Sequence, residues 1–259
     1  MTISGYSIWA VALMCVGVFT ASFVDAIGGG GGIISVPVYL FAGLPTHYAL
    51  GTNKLSSGIG TAASTLRYIL SGFVKWDLAV GSILLALLGA HLGTRLQLMV
   101  DERYLKYMLL IVLPLVAAVM LKKKKLPEEP GEISAWVQRG IVWGASLVIG
   151  AYDGFYGPGT GTFLLLIFCH LAKMDLRSAS GNVKIVNFSS NVGALVTSFI
   201  AGTVLVPIGL ITAVFAFAGH YIGAGLTIKN GSKIVRPIIL VVLTLLMTKL
   251  ILEFCGVTL

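Results

Sequence analysis

Five consecutive glycines, Gly28 to Gly32, interrupt apolar sequence three residues after an acid, Asp25, and a short apolar run follows them to about Leu44. Glycine gives up backbone entropy in a helix and an acid in an apolar stretch gives up hydration, so ordinary packing explains neither. Gly51-Thr52-Asn53-Lys54 comes next. The second half repeats this order: Asp153 precedes Gly157-Pro158-Gly159-Thr160-Gly161, an apolar run reaches Leu171, and Ser180-Gly181-Asn182-Val183-Lys184 follows. Nine identities, Gly29/Gly159, Gly31/Gly161, Ala49/Ala179, Gly51/Gly181, Lys54/Lys184, Gly72/Gly202, Gly89/Gly219, Gly93/Gly223 and Leu96/Leu226, share one offset of 130. One register for so many matches argues for an internal duplication.

With 57% hydrophobic and 11% charged residues and a mean hydropathy of +0.95, the chain departs from soluble composition, which is about a quarter charged. It reads as a polytopic membrane protein whose first partner is the lipid bilayer. The net charge of +8 lies mainly between long apolar stretches, as topology signals do, which argues against nucleic acid as a partner. Cys15, Cys169 and Cys255 lack metal-ligand or CxxC spacing, so no metal site and no disulfide framework is expected. The N-terminus has no basic residue before its first apolar stretch, which is about long enough to span, and is read as part of the mature protein rather than a cleaved signal.

Apolar segments fall near 7–27, 33–44, 48–70, 78–98, 105–121, 134–151, 162–171, 178–201, 206–228 and 235–254. Only helices or closed barrels satisfy the backbone in lipid, and these lengths fit helices, so the expected fold class is all-α. The segments at 33 and 162 are too short, roughly 15 to 18 Å at the helical rise against a hydrocarbon core of about 30 Å. Each follows a glycine cluster and reads as the second limb of a broken helix; whether it crosses the membrane or turns back is open at this level. Either way each half holds an odd number of crossings, which predicts two inverted-topology repeats: 1–121 and 134–259, joined by a charged, proline-bearing linker at 122–133. One side then receives Arg67, Lys75, Lys122 to Lys125, Arg139, Lys173, Arg177, Lys229, Lys233 and Arg236, against Arg95, Arg103, Lys106 and Lys249 on the other. That bias makes the first side cytoplasmic, in the inner (plasma) membrane, with both termini outside.

Paired interruptions at matching places in two halves point to a transporter's binding site. Gly29, Gly30, Gly31, Gly32, Gly157, Gly159 and Gly161 let the backbone turn through positive φ and offer N–H groups at the start of the next helix, which suits an anion. Helix packing is the competing reading and accounts well for Gly51, Gly58, Gly89, Gly93, Gly219 and Gly223. Lys54 and Lys184 lie roughly 10 Å inside their helices and are read as facing a cavity, with snorkelling to the interface as the alternative. Asn53, Asn182 and Asn187 supply amide donors or interhelical ties, with Asn191 a further candidate. Asp25 and Asp153 balance the lysines, cap exposed backbone or carry protons. Arg67, His91, His220, Tyr152 and Tyr156 are secondary candidates.

The stretches FVDAIGGGGGIISVPVYLFAGLPTHYALGTNKLSSGIGT from Phe23, GAYDGFYGPGTGTFLLL from Gly150 and SASGNVKIVNFSSNVGAL from Ser178 resemble the TauE/SafE family of anion exporters. The resemblance implies a multi-pass carrier of sulfite or organosulfonates, with the family's motif glycines at Gly29 to Gly32, Gly157, Gly159 and Gly161 and its GTNK segment at Gly51 to Lys54. The second copy departs from the pattern as Gly-Asn-Val-Lys. The expected function is secondary transport of a small anion by alternating access, without cofactors; proton or cation coupling and a homodimer are open. A passive channel is the nearest alternative. An intramembrane enzyme lacks support, since no HExxH or GxSxG occurs, and a purely structural protein leaves the buried charges without a reason.

Overall fold

The computed structural model describes residues 2–101, 104–105, 127, 129–231 and 233. The expected segments at 105–121 (beyond Leu105) and 235–254, and linker positions 122–126 and 128, lie outside the described residues. The described secondary structure is helical apart from one hairpin of two two-residue strands, β1 (Thr2–Ile3) with β2 (Tyr6–Ser7). The helices are α1 (Ile8–Gly28), α2 (Gly32–Phe41), α3 (Thr46–Leu70), α4 (Trp76–Met99), α5 (Ala135–Phe155), α6 (Thr160–His170), α7 (Leu176–Ile200) and α8 (Val206–Asn230). Helices α1, α4, α7 and α8 are long and apolar enough to span a bilayer, and α2 and α6 are the two short apolar limbs. This is an all-α polytopic membrane fold.

Local chemistry sets the boundaries. Ser7 caps α1 by accepting from Ala10 N at 3.2 Å, and Asp175 caps α7 by accepting from Ser178 N at 3.0 Å. Pro45 occupies the position before α3, where it needs no amide hydrogen. These signals start α3 and α7 two residues ahead of the apolar runs at 48 and 178. Both helices are 25 residues long, and their ends fall 130 residues apart.

The short limbs turn back rather than crossing. A Cβ on Gly17 of α1 would lie 2.6 Å from the Val38 side chain of α2, and one on Gly31 would lie 2.6 Å from Ala21 O. Higher in sequence on α2 therefore means lower on α1. Val11, Tyr39 and Leu44 complete that contact in one apolar cluster. The second limb does the same: Gln138, at the start of α5, donates to Ala172 O at 2.7 Å, just past the end of α6.

Helix packing exchanges partners between the halves. The leading helix of each half lies along the fourth helix of the other, α1 on α8 and α5 on α4. Small residues let these backbones approach. Gly89 and Gly93 face the carbonyls of Leu147 and Ala151, while Gly219 and Gly223 face those of Phe19 and Phe23. Gly51 abuts Thr203 O and Gly181 abuts Phe73 O, again across the halves and again 130 residues apart. Helices α3 and α7 run together through the interior, where Thr65 Oγ1 donates to Lys184 O at 3.0 Å. The outer helices present apolar stripes, as on α4 at Val80, Leu84, Leu88, Leu92 and Leu96.

Gly93→Ala forces its methyl into the Ala151 carbonyl and lowers stability by about 1–3 kcal/mol. Gly144→Ala, on α5 with open space around it, leaves stability unchanged or raises it by up to about 1 kcal/mol. Thermal unfolding of the detergent-solubilised protein distinguishes the two.

Candidate functional site

The two glycine breaks are in direct contact. Gly29 and Gly30 adopt φ of 77° and 91°, and Gly157 and Gly159 adopt 95° and 86°, the left-handed region that glycine enters without strain. Thr162 Oγ1, in the first turn of α6, donates to Gly28 O at the end of α1 at 2.7 Å. A Cβ on Gly161 would sit 2.9 Å from Gly29 Cα and 3.0 Å from Asn187 Nδ2, and one on Gly29 would overlap the Gly161–Thr162 peptide. Side chains are excluded here because two backbones occupy their space.

Each break carries an acid, and each acid meets the lysine of the opposite half. Lys184 Nζ on α7 lies 2.9 Å from Asp25 Oδ2 and also donates to Asp25 O at 2.5 Å. Gly31 N, entering α2, donates to Asp25 Oδ1 at 3.0 Å, so this carboxylate caps the returning limb. Lys54 Nζ on α3 lies 2.9 Å from Asp153 Oδ2. Asp153 also accepts from Thr160 Oγ1 on Oδ1 at 2.9 Å and from Ser190 Oγ on Oδ2 at 2.6 Å. Removing one member of such a buried pair strands the other charge, typically at about 3–5 kcal/mol. The fixed charges therefore cancel, two ammoniums against two carboxylates.

A half-open cavity with an empty volume of about 480 Å³ lies beside the breaks. Of the residues expected at the site, Asp25, Gly31, Gly32, Asn53, Lys54, Asp153, Gly157 and Asn187 line it. Gly29 and Gly161 form the contact between the breaks instead, while Gly30 and Gly159 shape the turns through their positive φ. Lys184 sits off the cavity wall, 2% exposed and bonded to Asp25. Asn182 Nδ2 donates to Ser178 O one turn back on its own helix, at 2.9 Å. The duplicated lysines are thus unequal: Lys54 faces the cavity and Lys184 is enclosed.

Among the secondary candidates, His220 and Tyr156 line the cavity, and Tyr152 OH donates to Pro158 O at 2.6 Å, tying α5 to its break. His91 is bonded to Thr197 Oγ1 at 2.8 Å, and Arg67 donates to Tyr221 O at 2.8 Å and covers the Tyr221 ring. Neither His91 nor Arg67 lines the cavity. Asn191, a further candidate above, lines it; Ser57, Thr61 and Thr160 line it and Ser190 supports Asp153, although the sequence reading did not place these four hydroxyls in the site. A signal was present: Asn53, Ser57 and Thr61 are spaced by four, as are Asn187 and Asn191, so each set shares one helix face. The result is a polar wall of one ammonium, two carboxylates, amides and hydroxyls inside an apolar jacket. Among the described residues no group of three or more His, Cys, Asp or Glu is placed to hold a metal ion.

The sequence profile described as "Sulfite exporter TauE/SafE" matches residues 13–250. The chain belongs to the TauE/SafE family. This TauE/SafE member is similar to "Probable membrane transporter protein ORF9" of Sinorhizobium sp., at 35% identity over 90% of this chain and 88% of that one. It is also similar to a "Probable membrane transporter protein" of Haemophilus influenzae, at 31% over 92% and 93%, and to "Probable membrane transporter protein YfcA" of Escherichia coli K12, at 30% over 91% and 87%. These relatives are named as transporters, not as enzymes. No solved structure matches the chain.

Lys184→Met lowers the stability of this TauE/SafE member by about 3–5 kcal/mol because Asp25 is left charged and unmatched. Lys184→Met with Asp25→Asn loses less than the two single changes added together. A double-mutant cycle on thermal unfolding reads the coupling.

Proposed function

We propose that this membrane transporter of the TauE/SafE family carries a small anion, a sulfur oxyanion or organosulfonate, by alternating access between two inverted halves. The observation that carries the reading is the Lys54–Asp153 pair on the wall of the cavity beside the touching breaks. An anion that enters takes over part of the ammonium's coordination from Asp153, so Lys54 need not be desolvated afresh. Amides and hydroxyls from α3, α6 and α7 complete its coordination, which suits a compact oxyanion with several acceptor oxygens. Zero fixed net charge keeps that hold reversible.

The inverted relation is supported by the exchange of contacts. Each leading helix packs on the other half's fourth helix, and each acid pairs with the other half's lysine. The reading places the two hairpins entering from opposite faces of the inner membrane, with the basic residues named above on the cytoplasmic side. Rocking of one half on the other would shift the contact between the breaks and change the side from which the cavity is reached.

The test is flux of sulfite, thiosulfate and organosulfonates into proteoliposomes. Lys54→Gln lowers the rate about 10- to 100-fold, the worth of a hydrogen bond to a charged group. Flux unchanged by Lys54→Ala together with Lys184→Ala removes the proposed site. Single-channel conductance steps replace alternating access by a passive pore.

A further inference from the structure

His220 lies on α8 with its ring in the cavity wall, 1% exposed and packed against Gly60 of α3. Its Nδ1 is 3.2 Å from Ser64 Oγ, and its Nε2 points toward Asp25 Oδ2 at 3.8 Å, beyond hydrogen-bond reach. The charged and titratable groups around it are known from each neighbouring element. Asp25 faces it from α1, Lys184 from α7 behind Asp25, and Lys54 from α3 on the same cavity wall; Arg67 of α3 holds the neighbouring Tyr221 carbonyl, and Tyr39 of α2 reaches α8 at Thr212. Both carboxylates already accept donors on both oxygens, from Lys54, Ser190 and Thr160 on Asp153 and from Lys184 and Gly31 N on Asp25. Among the described residues on this wall, His220 Nε2 is an imidazole nitrogen with no hydrogen-bond partner within reach.

The charge count gives that position a task. With two ammoniums and two carboxylates cancelling, an arriving monovalent anion leaves the buried site one negative charge in excess, and an uncompensated charge at membrane depth costs several kcal/mol. We propose that the anion binds together with one proton, taken up on His220 Nε2, so that the loaded carrier is neutral and the protein is a proton–anion symporter. Protonated, the ring stands 3.8 Å from Asp25 Oδ2, at ion-pair distance, and offsets the anion's charge through the cavity wall. The proton comes from the water that delivers the anion and returns to water with it on the other side; one N–H bond forms and later breaks. This inference rests on the anion-carrier reading above.

The full-length protein is reconstituted into phosphatidylethanolamine–phosphatidylglycerol vesicles with a trapped pH dye. Methanesulfonate and isethionate are the probes, because both are monovalent and neither titrates between about pH 5 and 8, where imidazole does. The wild type is expected to acidify the lumen by one proton per anion taken up and to be indifferent to an imposed membrane potential. Uptake of either probe without acidification and driven by the potential overturns the proton coupling while leaving the carrier reading intact. Failure of both probes to move overturns both. In His220→Gln, whatever anion still crosses is expected to carry no proton and to respond to the potential; an unchanged ratio overturns the assignment to His220. Ser64→Ala provides a milder variant: loss of its hydrogen bond to Nδ1 shifts the midpoint of the uptake–pH profile by about half a unit, and an unmoved midpoint counts against His220 equally.

Discussion

The arrangement depends on two buried ion pairs, each joining a lysine of one half to an aspartate of the other. Four charges away from bulk water would each cost several kcal/mol alone, and attraction within a pair roughly repays that cost without adding much stability. Their effect is on specificity. A docking of the halves displaced by one turn would leave both ammoniums and both carboxylates unmatched, so such alternatives are penalised at four positions together. The glycines then fix how close the halves come, since a single Cβ at Gly29 or Gly161 would meet backbone of the opposite break.

Much of this was visible in the sequence. Glycine runs, a shared offset and lysines at equal depth can be read without coordinates, because each violates what lipid-facing sequence tolerates, and the all-α membrane fold follows from segment length. The pairing of charges was not readable. Asp25 and Lys184 are 159 residues apart, and Asp153 stands two residues off the register that relates the lysines, so the duplication alone does not identify partners. Nor could it decide whether a ten-residue limb crosses or returns; the close approach of Gly17 to Val38 decides that, and it is a tertiary contact. The unequal exposure of Lys54 and Lys184 has the same origin. Their local motifs are nearly alike, but only one of the two faces the cavity.

The polar character of α3 and α7 links fold to site. A helix rich in Ser, Thr and Asn is poorly suited to face lipid, and α7 buries 67% of its most apolar window against 44% for α4 and α8. Surrounding these helices with apolar ones places their hydroxyls and amides inside, where many are satisfied by their own helix one turn back, as Ser189 is by Ile185 O and Thr197 by Gly193 O. Asn53, Ser57, Thr61, Asn187 and Asn191 line the cavity, Thr61 while still donating to Ser57 O one turn back. One rule, that polar groups avoid hydrocarbon, builds both the interior and the wall.

Cancellation of the four fixed charges in and behind that wall has consequences for any ligand. A site with two free ammoniums would hold an anion tightly and release it slowly, whereas Lys54 already shared with Asp153 gains only the difference between two partners. The carboxylate is not lost when that exchange occurs, because Ser190 and Thr160 keep hold of it from two other helices. The ammonium can therefore pivot between partners while the acid stays fixed. Such an exchange would limit the hold on an anion, because the ammonium gives up one partner as it gains the other.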